Sequence, residues 1–303
     1  MPVVSNILQM QILLLALMLA GFVSAKAKII DTHARDSLSD LILGVFLPCN
    51  ILSSFLNTDT SKLPSLAIML AFSSGLLCLC FALSKLFYRR FGTEQKKVLL
   101  YATIISNASF LGNPVIESIY GIDALVYSAI YLIPLRVALW TLGIAIFSGG
   151  KGSVKKVVFH PCLIATYLGF AVMFTGFKSP AWLSRIVFTL GNCTTPISMM
   201  VVGSVLGLVD SKKLITGVAL YFSSIRLILI PLMALGIMLL IRPDPVVTGV
   251  AVILSGTPAP VTISILAGKY KSDNVLASRI VFVSTLLSIV TIPALIWLLQ
   301  KAV

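Results

Sequence analysis

Apolar residues fill stretches of about 20 along this chain, and short gaps between them carry the charges or a Pro/Gly pair. A helix of that length crosses about 30 Å of hydrocarbon. Ten spans are read, over residues 5–25, 37–57, 64–88, 98–120, 123–147, 157–177, 181–209, 213–241, 246–269 and 273–300. A membrane barrel would instead show short alternating segments, so the pattern predicts an all-α integral membrane protein with ten transmembrane helices. The first span ends in Val23-Ser24-Ala25, which mimics a signal-peptidase site. No Lys or Arg precedes its apolar run and several follow, so it is expected to be a retained span.

Composition removes the soluble alternative. Of 303 residues, 58% are hydrophobic and 11% charged, against roughly 25% charged in soluble domains. The net charge of +13 is distributed as topology rather than as a nucleic-acid footprint, with no basic stripe long enough to follow a phosphate backbone. One set of alternate gaps collects Lys26, Lys28, Arg35, Lys85, Arg89, Arg90, Lys96, Lys97, Lys151, Lys155, Lys156, Lys212, Lys213, Lys269 and Lys271; the other holds mainly Lys62, Lys178, Arg242 and Lys301. Positive charge is retained on the cytoplasmic side, which places both termini outside. Cys49, Cys78, Cys80, Cys162 and Cys193 fall in apolar stretches without metal-ligand spacing and read as small buried hydrophobes. Gly44, Gly75 and Gly203 lie within spans, where small residues usually mean close helix packing.

The two halves carry similar punctuation. Leu47-Pro48-Cys49-Asn50 in span two and Gly112-Asn113-Pro114 in span four are matched by Asn192-Cys193-Thr194-Thr195-Pro196 in span seven and Gly256-Thr257-Pro258-Ala259-Pro260 in span nine. The separations are 148 residues from Pro48 to Pro196 and 144 from Pro114 to Pro258. A repeat of five helices is odd in number, so its second copy enters from the opposite face. This is the inverted repeat of many secondary transporters. The first repeat is read over 1–147, a short cytoplasmic connection over 148–156 and the second repeat over 157–303.

Proline within a span removes a backbone N–H and clashes with the preceding turn; freed backbone groups are tolerated only against protein or a wet cavity. Breaks are therefore expected at Pro114 and at Pro258/Pro260, flanked by Ser106, Asn107, Ser109 and Asn113 in span four and by Ser255, Thr257, Thr262 and Ser264 in span nine. The amides near Val115, Ile116 and Glu117, and near Val261, Thr262 and Ile263, would then start half-helices whose positive ends attract anions. The carbonyls of Leu111 and Gly112 would hold a cation or accept from a protonated substrate. Ionisable groups at depth are Arg136, Arg226, Glu117 and Arg279, and each mid-membrane Arg costs about 2.5–3.5 kcal/mol on insertion scales.

Glu117 can pair with one Arg, which leaves two central cations against one carboxylate, a balance that an anionic substrate would complete; alternatively Glu117 carries a coupling proton. Asn50, and Asn192, Thr195 and Ser198 beside the repeat prolines, either face the substrate or hydrogen-bond between helices. The candidate binding set is Asn50, Asn107, Asn113, Pro114, Glu117, Arg136, Asn192, Arg226, Thr257, Pro258, Pro260 and Thr262. His33 and His160 are far apart, and no metalloprotease, paired-aspartate or diphosphate-binding motif occurs. An enzyme, a metal site and a cofactor are therefore not expected. The leading expectation is a secondary transporter of small mono- or dicarboxylates; a proton or cation antiporter using Glu117 and a non-transporting metabolite sensor are the alternatives.

Asn107-x-x-Phe110-Leu111-Gly112-x-Pro114 closing with Tyr120-Gly121, Pro258-x-x-Val261-Thr262 leading to Ala267-x-x-Tyr270, and Ser284-Thr285-Leu286-Leu287-Ser288 with Pro293 together resemble the auxin efflux carrier family. The likeness spans the whole chain and includes the family's bacterial permeases for malonate, malate and similar carboxylates. The resemblance implies spans four and nine crossing at their broken centres, at Asn113, Pro114, Pro258 and Pro260, with Thr262 at a position that is often polar. It groups spans one, two, six and seven as a scaffold, through which a homodimer can form, and the other six as a domain that moves by an elevator-like shift. A bacterial inner membrane follows from the same branch. Protons or sodium ions remain open as coupling partners. The short connection differs from the long cytoplasmic loop of several plant members, so phosphorylation of such a loop is not expected.

Overall fold

The computed structural model describes residues 2–56, 62–148, 159, 161–176, 179–208, 215–260 and 262–302. The expected connection beyond Ser148 lies outside the described residues, as do Lys178, Lys212, Lys213, His160 and Val261. Among the described residues every regular element is helical. The α-helices are α1 (Pro2–Lys26), α2 (Thr32–Leu41), α3 (Leu47–Phe55), α4 (Leu63–Phe87), α5 (Thr93–Ile104), α6 (Asn113–Tyr120), α7 (Leu125–Ala138) and α8 (Ile144–Ser148). They continue with α9 (Pro161–Thr175), α10 (Ala181–Asn192), α11 (Thr194–Leu208), α12 (Gly217–Ser224), α13 (Ile230–Ile241), α14 (Pro245–Ser255), α15 (Thr262–Lys269) and α16 (Asn274–Ala302).

Among the described residues, five helical segments are long and apolar enough to cross a bilayer: Thr32–Ser53, Leu63–Phe87, Ile122–Phe147, Gly217–Ile241 and Asn274–Ala302. Spans four, seven and nine are each divided, into α5 and α6, α10 and α11, and α14 and α15. Helix starts are set by local chemistry. The Oδ1 of Asp31 accepts from the amide of Ala34 at 2.7 Å, that of Asp244 from Val246 at 2.8 Å ahead of Pro245, and that of Asp273 from Leu276 at 2.9 Å. Each side chain satisfies an orphan N–H of the first turn.

Among the described residues four π turns interrupt the helices, at Ile42–Phe46, Ala108–Gly112, Leu139–Gly143 and Ile225–Leu229. Three of them contain the residue four before a proline: Gly44 before Pro48, Phe110 before Pro114 and Leu227 before Pro231. That residue's carbonyl is the one a proline ring strikes, and the wider π turn makes room for it. This corrects the expected break in span four. Pro114 is carried within a continuous helical run, and the chain leaves helical geometry earlier, at Ile105 (φ −102°, ψ 136°) through Asn107. The amides of Val115, Ile116 and Glu117 and the carbonyls of Leu111 and Gly112 therefore do not lie at free helix ends. In span nine the interruption falls where expected, across Gly256–Pro260.

The chain divides into two compact units. The first comprises residues 1–66, 113–130 and 158–209, and the second 67–112, 131–157 and 210–303. In the first, α1 and α11 approach so closely that a Cβ on Gly203 would strike the backbone carbonyl of Met18, and one on Gly21 that of Met200. Gly44 and Gly75, by contrast, have nothing within 4 Å of a built Cβ, so close packing is not what requires glycine there. In the second unit α14 is buried continuously from Val247 to Ser255. Its carbonyl end is thereby carried into the unit's interior.

Candidate functional site

The second unit joins the two interruptions directly. The backbone amide of Asn107 donates to the carbonyl of Pro258 at 2.9 Å, and the Asn107 carbonyl accepts from Leu111 at 3.0 Å as helix resumes. The Pro258 carbonyl lies in the non-helical interruption and is free to accept, and asparagine at 107 suits a helix start. Close approach is possible because Gly112 has no side chain: a Cβ there would stand 2.5 Å from the Leu254 Cδ2 and 3.2 Å from the Thr257 Cγ2.

Around the joint, several second-unit helices contribute polar groups. Arg226, 2% exposed on the π turn between α12 and α13, donates from Nε to the Thr257 carbonyl at 2.9 Å and from Nη1 to the Thr103 carbonyl at 3.2 Å. Thr103 lies in the last turn of α5 and Thr257 just past α14, so one guanidinium meets the carbonyl ends of both interrupted helices. Ser284 on α16 accepts the amide of Ala259 on its Oγ at 3.1 Å and donates to the Ile280 carbonyl at 2.5 Å. Tyr101 and Thr262 share a hydrogen bond of 3.0 Å at the start of α15. The Thr103 hydroxyl donates to the Leu99 carbonyl, so in its 2.9 Å contact with Tyr88 it accepts.

Three buried polar atoms flanking this joint have no hydrogen-bond partner among the described residues: Ser106 Oγ, Asn107 Nδ2 and Thr285 Oγ1. A buried donor left unpaired costs about 1–3 kcal/mol, and such groups in native proteins call for an explanation. Ser106 and Asn107 immediately precede the point where helix restarts at Ala108 with a positive dipole end, and Thr285 follows Ser284, which accepts the Ala259 amide.

Of the residues expected to form the site, Asn107, Arg136, Arg226, Thr257, Pro258, Pro260 and Thr262 belong to the second unit, while Asn50, Asn113, Pro114, Glu117 and Asn192 belong to the first. Arg136 is buried on α7. In the first unit Ser128 donates a hydrogen bond to the Asn113 Oδ1, both buried. Asn50 is buried, Glu117 is only half-buried and Asn192 is exposed, whereas its neighbours Thr194 and Ser198 hold buried hydroxyls without a partner among the described residues. Arg226 differs most from expectation, because two of its donors are engaged by backbone carbonyls. Tyr101, Thr103, Ser284 and Thr285 were not in the expected set. Only the adjacent Ser284-Thr285 pair within an apolar span carries a signal for them.

Replacing Ser284 with alanine is expected to remove the acceptor of the Ala259 amide and destabilise the detergent-solubilised protein by about 1–3 kcal/mol, read as a fall in Tm. An unchanged Tm would remove Ser284 from the frame of the joint.

A family model described as "Membrane transport protein" matches the chain in two segments, residues 7–157 and 150–296. Over 286 residues the chain is 28% identical to a Methanothermobacter thermautotrophicus protein named "Uncharacterized transporter", covering 92% of this chain and 94% of that one. Over 300 residues it is 25% identical to a Rhizobium meliloti protein named "Putative malonate transporter", covering 94% and 93% respectively.

Proposed function

Because the chain belongs to the membrane transport protein family, that of the auxin efflux carriers, we propose that it is a secondary transporter of small carboxylates that binds them where its two interrupted spans meet. That it is an integral membrane transporter and not an enzyme follows from the family and the names of its relatives. The substrate class is our reading. The observation that carries it is the Asn107–Pro258 joint, where Ser106 Oγ and Asn107 Nδ2, and Thr285 Oγ1 next to the Ser284 that braces it, are buried without partners among the described residues. The positive helix start at Ala108 and that of α15 at Thr262 suit a carboxylate. The name of the Rhizobium relative supports malonate as the first compound to test.

In this proposal Asn107 and Ser106 donate to the anion, Thr257, Pro258, Pro260 and Thr262 shape the joint, and buried Arg136 adds positive charge to the second unit. The two halves, 1–147 and 157–303 across the 148–156 connection, are inverted repeats of a ten-span plan with crossed spans four and nine. Alternating access is an elevator-like movement of spans three, four, five, eight, nine and ten. Both termini lie outside an inner membrane.

Flux into liposomes tests it. Purified protein should move radiolabelled malonate or malate, and this flux should survive Glu117→Gln. Strict proton exchange without an anion, lost in that variant, would favour an antiporter using Glu117. Binding of malonate with no flux would make the protein a sensor and overturn the proposal.

A further inference from the structure

The carbonyl ends of interrupted helices are where membrane transporters of this general construction hold a coupling cation, because unwound carbonyls and negative dipole ends both face it. In this protein one carbonyl at each of those ends is already taken. The Arg226 guanidinium takes the Thr257 carbonyl with Nε and the Thr103 carbonyl with Nη1, drawing one ligand from each interrupted span. The recess beside the guanidinium has room for about one water and is lined by neutral groups, among them Ser73, Cys80 and Tyr131. A guanidinium is not deprotonated in proteins and presents its donors in a rigid fork. The charge delivered to the two carbonyls is therefore permanent and cannot dissociate.

We infer that Arg226 is a tethered counter-cation, standing where a coupling sodium ion would otherwise bind, and that it frees the transporter from sodium. The inference deepens the reading of the joint as a carboxylate site and rests on that reading only for its flux consequence. Its local content, that the carbonyl pair is closed to free cations while Arg226 is present, stands apart from any substrate. Arg226 acts as a positioning residue: it holds the ends of α5 and α14 together, and the anion site lies past the interruption those ends define.

Thermal unfolding of the purified full chain supplies the first test, comparing sodium chloride with choline chloride at equal ionic strength. The natural protein is expected to unfold at the same temperature in both. Arg226→Gln removes the charge and leaves the two carbonyls unmatched; it is expected to unfold several degrees lower in choline and to recover part of that loss in sodium. Arg226→Lys retains a tethered charge and is expected to remain indifferent to sodium. A sodium-specific rise in the natural protein, or an Arg226→Gln protein as indifferent to sodium as the natural one, would overturn the inference. Where Arg226→Gln does not accumulate, the natural protein and Arg226→Lys decide, since a sodium-specific rise in either one refutes a closed site.

Malonate flux supplies the second test. It should be equal in sodium and choline for the natural protein, and flux that requires sodium would overturn the inference while leaving the carboxylate reading intact. If no carboxylate moves in either medium, the transport reading fails, and the unfolding comparison still decides the role of Arg226.

Discussion

Replacing Asn107 with leucine is expected to weaken malonate binding about 10- to 150-fold, the loss of one hydrogen bond of about 1.5–3 kcal/mol to a charged group, without lowering thermal stability. Asn107 is 4% exposed, and its Nδ2 has no acceptor among the described residues. In the empty protein this donor is a cost, and leucine of similar shape removes it. The link to Pro258 is made by the backbone amide, which leucine keeps. Affinity and stability should therefore move separately: binding falls, while Tm stays level or rises. A structural asparagine would behave in the opposite way, with Tm falling and binding by the remaining folded protein intact. Isothermal calorimetry and thermal unfolding on the same preparation separate the two, and unchanged malonate affinity in Asn107→Leu would remove the residue from the site.

The largest effect on stability is expected at the α1–α11 contact. The new methyl of Gly203→Ala would meet the Met18 backbone carbonyl, which cannot rotate away as a side chain can. The helices must separate, and overpacking of this kind costs typically about 1–3 kcal/mol and occasionally more. Gly21→Ala meets the Met200 carbonyl in the same contact, so the two substitutions share one rearrangement and should be less than additive. Gly75→Ala is the matched control on α4, where a built Cβ has nothing within 4 Å. There, alanine should be neutral or stabilise by up to about 1 kcal/mol through helix propensity. Equal Tm values for Gly203→Ala and Gly75→Ala would show that α1 and α11 are not in close contact.

The different fates of Pro114 and Pro258 show how far sequence punctuation can be read. Both are prolines within apolar spans, and both suggested a break at the proline itself. At Pro258 a second proline follows at 260, and helical geometry is lost across Gly256–Pro260. At Pro114 a π turn over Ala108–Gly112 absorbs the ring, and the interruption moves back to Ile105–Asn107. Whether a clash is relieved by a wider turn or by a break depends on what else holds the backbone. At Asn107 that is the carbonyl of Pro258, about 150 residues further along the chain. No local pattern carries that information.

The sequence by itself determined that the chain is helical and membrane-embedded, and that spans four and nine hold the polar, proline-rich segments. These follow from the cost of exposing apolar side chains to water and unpaired backbone groups to lipid, both of which are summed over local residues. Only the tertiary structure decided the use of the few deep polar groups. Arg226 read as free positive charge for a substrate, yet its charge is engaged by the ends of two helices that are distant in sequence. Asn107 read as one of several polar flanks, yet its backbone amide makes the link between the interruptions while its side-chain amide nitrogen has no partner among the described residues. A hydrogen bond depends on distance and direction between particular atoms, and for residues far apart in the chain those are set only when the helices pack.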